Sequence, residues 1–339
     1  MNAIQKNDII AFAQSFELAK LLTSSKILVT GATGLIGSTL IHCLLAINQG
    51  VKVIAPIRNL SKAKSLFSNE EVSNISFIEC DILRYDYNKI GDVDFIIHCA
   101  APTASNFFVD FPVETFDIIY SGTKVLLDYA HKHPVKGFVY LSSLEVYGEI
   151  HDDTKPITEN AQGYLDVMAV RSSYPMAKRA AENLCCLYAK EYDVPAMVAR
   201  LTQTTGAGID KDDNRVIAQF ARLASKGQDI ILHTTGESAR PYCYTTDAVS
   251  AILYILLNGK SGEAYNVANE ETYISALMLA EYLRDHFNPN LKVRVELNDN
   301  MGYAPVTKHN LSVEKLRTLG WCPVYDLYGI LEKLLAYLK

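Results

Sequence analysis

The sequence predicts an α/β protein, a doubly wound parallel sheet joined to a smaller mixed α/β C-terminal part. Three observations predict it. Six short, nearly continuous apolar runs recur between Lys26 and Leu201, segments of helical period separate them, and the first run passes straight into a glycine-rich turn. Strands that are apolar on both faces belong to a parallel sheet covered on each side by its crossover helices.

In chain order, residues 7–23 predict an amphipathic helix capped by Asn7, with Ile9, Phe12, Phe16 and Ala19 on one stripe. It reads as an extra helix packed on the sheet-forming domain. Strands are expected at Ile27–Thr30, Val51–Ile57, Ile75–Ile78, Phe95–His98, Gly137–Leu141 and Ala196–Leu201. Helices are expected between them, among others at Ser38–Ile47, Tyr120–His131 and Tyr174–Tyr192. After Leu201 the alternation loosens into a loop at Thr202–Asn214, a helix, a short strand near Ile230–His233, a helix at Asp247–Leu257 and a strand at Ala264–Val267. The remainder, Tyr273–Lys339, reads as mostly helical and more polar.

Composition bounds the function. The 339 residues are 49% hydrophobic and 21% charged, enough to bury a large core without disulfide staples. A net charge of −6 argues against a bulk nucleic-acid or anionic-membrane surface. The seven cysteines are scattered and form no C-x-x-C pair, so no zinc or redox motif is written here, and the eight histidines show no metal spacing. Glu17 and Lys20 interrupt any signal-like N-terminal run, and no stretch approaches a membrane span. A cytoplasmic protein is expected.

The glycine-rich turn is Thr30-Gly31-Ala32-Thr33-Gly34-Leu35-Ile36-Gly37, a G-x-x-G-x-x-G between a buried strand and an amphipathic helix. Gly31 permits the sharp turn, Gly34 lets a pyrophosphate approach the backbone, and Gly37 packs helix on strand. The helix N-terminus then offers N–H groups to phosphates, so the pattern predicts dinucleotide binding in a Rossmann arrangement. The acid that would hold a ribose diol is absent from the end of the second strand, which reads Pro56-Ile57-Arg58-Asn59. Arg58 either pairs with a 2′-phosphate, favouring NADP over NAD, or is simply solvated. Asp81, after the third strand, either reaches the adenine or caps a turn.

Tyr174-Pro175-Met176-Ala177-Lys178 is a Y-x-x-x-K on a predicted helix, with both side chains on one face. A phenol of ordinary pKa about 10 is a poor base. A neighbouring ammonium and a nicotinamide's positive charge would favour phenolate. Upstream, Ser143 ends the fifth strand, where a hydroxyl points into the crevice at the carboxyl edge of a parallel sheet. It is placed to bridge a substrate hydroxyl and Tyr174, with Ser142 as a supporting donor.

Together with H-C-A-A-P-T at 98–103, S-S-L-E-V-Y-G at 142–148, A-R-P-Y-C-Y-T-T-D-A-V at 239–249 and L-G-W-C-P at 319–323, these motifs resemble the extended short-chain dehydrogenase/reductases that remodel nucleotide sugars, the NAD-dependent epimerase/dehydratase family. The resemblance covers nearly the whole chain from Lys26. It implies that Ser143, Tyr174 and Lys178 are catalytic, with Tyr174 taking the proton of a sugar C4 hydroxyl. It places Gly31, Thr33, Gly34, Leu35, Ile36, Gly37, Arg58, Asp81, Ile82, Ala100, Ala101, Tyr174 and Lys178 around the cofactor, NAD or NADP. Pro102, Ser143, Arg171, Gln203, Arg215 and Arg240 fall to the nucleotide-sugar substrate. Arg240 matches the arginine on the diphosphate, Arg215 lies in the base-binding loop, and Arg171 either faces the sugar or is a helix-start charge. His98 is expected to be structural, and Phe107, Phe108 and Phe111 form a loop over the pocket or part of the core.

Within the family, R-S-S-Y-P-M-A-K-R at 171–179 and A-A-P-T-A-S at 100–105 are most similar to the UDP-glucuronate decarboxylases. Glu145 occupies the position at which decarboxylases and 4,6-dehydratases carry a glutamate and is counted with the catalytic residues. Leu144 stands where dehydratases using an Asp-Glu pair have their aspartate, and Gln203–Gly208 departs from the family's N-x-Y-G-P-R. The alternatives are a 4-epimerase, a 4,6-dehydratase, a keto-sugar reductase or, from another class, a non-catalytic NAD(P)-sensing regulator. The expected organisation is a helical extension at 1–25, a dinucleotide-binding Rossmann domain at 26–201, and a mainly substrate-binding domain at 202–339, with about 230–267 returning to the first. A homodimer through Phe111–His131 and Tyr174–Tyr192 is the expected assembly.

Overall fold

The computed structural model describes residues 1–298 and 306–339. In chain order it contains α1 (Ala3–Ser15), β1 (Lys26–Thr30), α2 (Leu35–Ala46), β2 (Lys52–Ile57), α3 (Leu60–Leu66), α4 (Asn69–Val72), β3 (Ile75–Glu79), β4 (Phe95–His98), α5 (Ser105–Asp110), α6 (Pro112–Lys132), β5 (Gly137–Ser143), α7 (Ser173–Tyr192) and β6 (Ala196–Leu201). The C-terminal elements are β7 (Gln203–Thr205), α8 (Val216–Ser225), β8 (Ile230–Leu232), β9 (Ala239–Tyr244), α9 (Thr245–Asn258), β10 (Ala264–Val267), β11 (Asn269–Ser275), α10 (Ala276–Phe287), β12 (Val293–Val295), α11 (Glu314–Arg317) and α12 (Leu327–Leu338).

The main sheet has seven strands in the order β10-β6-β5-β4-β1-β2-β3, all parallel. Successive residues alternate between its two faces. Ile27 and Val29 of β1 join one core with Ile97, Val139 and Ala199. Leu28 joins the other with Ile96, Phe138 and Val198. This two-sided burial is why the strands read as unbroken apolar runs. Helices α1, α2 and α9 cover the first face, and α6 and α7 the second. Strand order reverses between β1 and β4, which opens a crevice at their carboxyl ends.

The C-terminal part adds two small sheets, β11-β9-β7 and β12-β8, over a third core. Segment 230–267 divides between the two parts: β8 and β9 join the small sheets, whereas β10 extends the main one. Trp321 of the L-G-W-C-P motif is fully buried and donates to the Asp247 carbonyl, fastening the C-terminal stretch to α9.

Three expectations need correction. The N-terminal helix begins at Ala3 and ends at Ser15, capped by Asn2 through a reciprocal box with Gln5 rather than by Asn7. Phe16 is already extended, so Ala19 lies in a separate turn. The loop at 202–214 contains β7, whose short Gln-Thr-Thr run gives no apolar signal. In the stretch from Tyr273, expected to be mostly helical, β11 and β12 contribute strands. Among the described residues no helix is long and apolar enough to cross a membrane, and no cluster of three His, Cys, Asp or Glu could hold a metal.

Candidate active site

At the end of β1, Gly31 has φ of +69°, and a Cβ there would lie 2.9 Å from the Ala100 amide nitrogen. A Cβ on Gly37 would lie 2.2 Å from the Gly31 carbonyl oxygen, so α2 approaches the turn as closely as backbone allows. Gly34 is the N-cap of α2, exposed and without side-chain capping. Thr33, Leu35 and Ile36 are half-buried beside it. This bare helix N-terminus directs its first amides to the crevice and fits a pyrophosphate.

Residues 98–102 run past the same turn. Thr30 Oγ1 accepts from the Ala100 amide at 3.2 Å and lies 2.7 Å from His98 Nδ1. Burial, with the Lys178 charge adding to it, pushes His98 down to about 3, so the imidazole is neutral and structural. Ala100, Ala101 and Pro102 are half-buried at the rim. Arg58 is exposed just past β2, with no acidic partner among the described residues. The Asp81 carboxylate accepts from the Leu83 amide at 3.0 Å and closes a turn at the exposed rim, while Ile82 packs on the second core.

The start of α7 brings Tyr174 and Lys178 to the end of β5. Both are buried. Lys178 Nζ donates to the Leu141 carbonyl at 2.6 Å and stands 4.7 Å from the centre of the Tyr140 ring and 5.7 Å from that of Tyr174. Burial lowers Lys178 to about 7. Ser143 Oγ accepts from the Glu145 amide at 3.2 Å. The Ser143 hydroxyl draws the pKa of the Tyr174 phenol down. That pull is outweighed. Burial first, and the Glu145 carboxylate second, hold Tyr174 well above an ordinary phenol, with Arg171 and Arg215 opposing them. Desolvation exceeds the protein charges facing the ring, so the expected lowering rests on the nicotinamide charge, the second of its two sources. Ser142, expected to donate a supporting bond, has its hydroxyl buried without a partner among the described residues.

Glu145 and Arg171 meet across the crevice, Arg171 Nη2 lying 3.0 and 3.2 Å from the two carboxylate oxygens. The Arg171 guanidinium also sits 4.9 Å from the centre of the Phe108 ring, which stacks on Tyr174. Of the three phenylalanines, Phe108 is buried over the site, Phe107 is half-buried against Phe111, and Phe111 is half-exposed. Leu144 is buried in the core.

On the far side, Gln203 Oε1 is buried on β7 without a partner among the described residues. Arg215 is held by Asp213 and donates to the Thr204 carbonyl at 2.9 Å. Arg240 lies half-buried on β9, opposite Ile274 of β11, and forms no ion pair among the described residues. Thr30 and the Leu141 carbonyl escaped the sequence reading. Thr30 alone had a signal, as the hydroxyl residue directly before the glycine turn.

The sequence pattern of the NAD dependent epimerase/dehydratase family matches residues 27–268. The chain is 28% identical over 310 residues to UDP-glucuronic acid decarboxylase 6 of Arabidopsis thaliana, covering 90% of this chain and 86% of that protein. It is 29% identical over 316 residues to a dTDP-D-glucose 4,6-dehydratase of Bos taurus, covering 88% and 84%. The solved structure of a UDP-glucose 4-epimerase from Thermotoga maritima, with UDP-glucose, superposes with a TM-score of 0.78 at 25% identity, covering 92% of this chain and 98% of that one.

Proposed function

Because the chain belongs to the NAD dependent epimerase/dehydratase family, we propose that it modifies a nucleotide-linked sugar through transient oxidation at C4, and that the reaction is decarboxylation of UDP-glucuronate. The observation that carries this reading is the convergence of Ser143, Tyr174 and Lys178 with Glu145 at one strand end. Glu145 separates it from plain epimerisation. Leu144, turned into the core, offers no acid for loss of a C6 hydroxyl and so disfavours dehydration.

The first-turn amides of α2 and the close-packed Gly31 and Gly37 would hold the dinucleotide, with Thr33, Leu35, Ile36, Ile82, Ala100 and Ala101 around it. A bound nicotinamide supplies a reversible hydride acceptor facing C4. Tyr174 takes the C4 hydroxyl proton, Ser143 relays it, and Lys178 holds the nicotinamide ribose. Glu145 serves proton transfer near C5. Pro102 and Gln203 line the substrate, Arg215 takes the base, and Arg240 faces the diphosphate, for which its unpaired guanidinium is suited. Arg58, where a diol-binding acid is missing, supports NADP.

The same reading assigns residues 26–201 with β10 to the dinucleotide half and the rest of 202–339 mainly to the sugar nucleotide. It also assigns a homodimer through α6 and α7, whose outer faces leave Val113, Phe116 and Leu187 exposed. Sedimentation showing only monomer at micromolar concentration would remove the dimer. The test of the reaction is mass spectrometry of the purified protein with UDP-glucuronate, with NAD and NADP in separate tubes. Product lighter by carbon dioxide is expected. Unchanged substrate, with no isomer on chromatography, overturns the assignment.

A further inference from the structure

The Glu145–Arg171 pair is built to be exchanged. Both side chains are partly exposed, 35% and 41%, and contact runs through a single nitrogen, Nη2. An ion pair this solvated is worth little, so a competing anion can take one partner at small cost. The contrast is Arg200 with Glu182, where both side chains are 11% exposed and three nitrogen–oxygen contacts within 3.1 Å close the fork. Arg171 makes no other hydrogen bond among the described residues, so Nε and Nη1 are free, and either forms a two-nitrogen edge with Nη2 for an incoming carboxylate once Glu145 gives Nη2 up.

The guanidinium is also aimed. It lies over Phe108, 4.9 Å from the ring centre, and Phe108 in turn stacks on Tyr174 at 4.2 Å. Its residue precedes Tyr174 by three, at the turn that opens α7. Both members of the pair act on the phenol in opposite senses, which fixes them in its electrostatic neighbourhood. A sugar whose C4 hydroxyl meets Tyr174 carries its C5 substituent one ring atom away, in the region the pair occupies.

We propose that Arg171 is the specificity-determining residue for a sugar bearing a carboxylate on C5, binding that carboxylate by exchange against Glu145. This rests on the nucleotide-sugar reading above. An uncharged hydroxymethyl group cannot displace Glu145, so the pair stays closed and the sugar gains nothing from Arg171. A carboxylate takes the free fork, and Glu145 is released as a mobile proton carrier beside Tyr174.

Calorimetric titration of the intact protein with UDP-glucuronate and UDP-glucose tests the exchange independently of turnover. Arg171→Gln should weaken UDP-glucuronate by about tenfold while changing UDP-glucose less than about twofold, and Arg171→Lys should recover part of the loss. Glu145→Gln frees the fork and removes a like charge, so it should tighten UDP-glucuronate by about threefold even as turnover falls. Equal weakening of both sugars in Arg171→Gln, or weaker UDP-glucuronate binding in Glu145→Gln, overturns the proposal. If the wild-type protein decarboxylates UDP-glucuronate but fails these tests, only the role of Arg171 falls. If it binds neither sugar, the parent reading falls with it. Should Arg171→Gln not fold, the Glu145→Gln titration decides alone.

Discussion

The phenyl ring of Phe108 stacks on the phenol of Tyr174, with centroids 4.2 Å apart and planes 13° from parallel. Ser173, the residue before the tyrosine, donates its hydroxyl to the Phe108 carbonyl at 3.0 Å, so α5 is tied to the start of α7 by ring and backbone together. The stack helps keep water from the phenol, and burial is the largest reason its pKa is raised.

Phe108→Ala should therefore act in two ways. Loss of a buried phenylalanine costs about 3–5 kcal/mol, read as a lowered urea midpoint. Water reaching the ring removes desolvation, so the Tyr174 pKa falls and the acidic limb of the pH–rate profile, where the base must lose its proton, moves to lower pH. An unmoved limb would show that Phe108 does not shield the phenol.

Tyr174→Phe keeps the ring and its stack but removes the proton acceptor. Turnover should fall about 10²–10⁴-fold, with dinucleotide binding preserved in a fluorescence titration. A protein that serves only as a nicotinamide sensor would keep its response in this variant.

Lys178 has a folded pKa of about 7, below the unfolded lysine value of about 10.4. Between those values the unfolded chain holds the extra proton, so this group makes stability rise with pH across the window. Below about 7 its full penalty is present. Lys178→Met has no such group, and its urea midpoint should rise less than wild type from pH 7 to 10. Parallel curves would sink the assignment.

Asp8 of α1 is buried, accepts from the Tyr244 hydroxyl at 2.5 Å and pairs with Lys333 at 2.7 Å. Asp8→Ala leaves that phenol and ammonium without their carboxylate and should cost about 2–3 kcal/mol in denaturation. Asp8→Asn, which keeps an acceptor, should lose less.

The alternation of strands and helices was legible because each strand is buried on both faces and spells that out locally. Phe95–His98, Ala196–Leu201 and Ala264–Val267 fall where the apolar runs end. The glycine turn was legible too, since a positive φ at Gly31 and the backbone approach at Gly37 demand glycine whatever surrounds them. The N-terminal helix was misplaced because its start is written in a polar box, Asn2 with Gln5, rather than in apolar spacing. β7 and β11 were missed because short, polar strands depend on partners elsewhere in the chain for their hydrogen bonds.

By itself, then, the sequence determined the sheet, the phosphate-type turn and the pairing of Tyr174 with Lys178 on one helix face, because each depends on neighbours within a few residues. Tertiary structure alone decided the rest. It set Glu145 against Arg171, laid Phe108 on Tyr174 and joined Asp8 to Tyr244 across 236 residues. It also set burial against charge at the phenol, since charge and solvent exposure at one atom depend on every segment that packs around it.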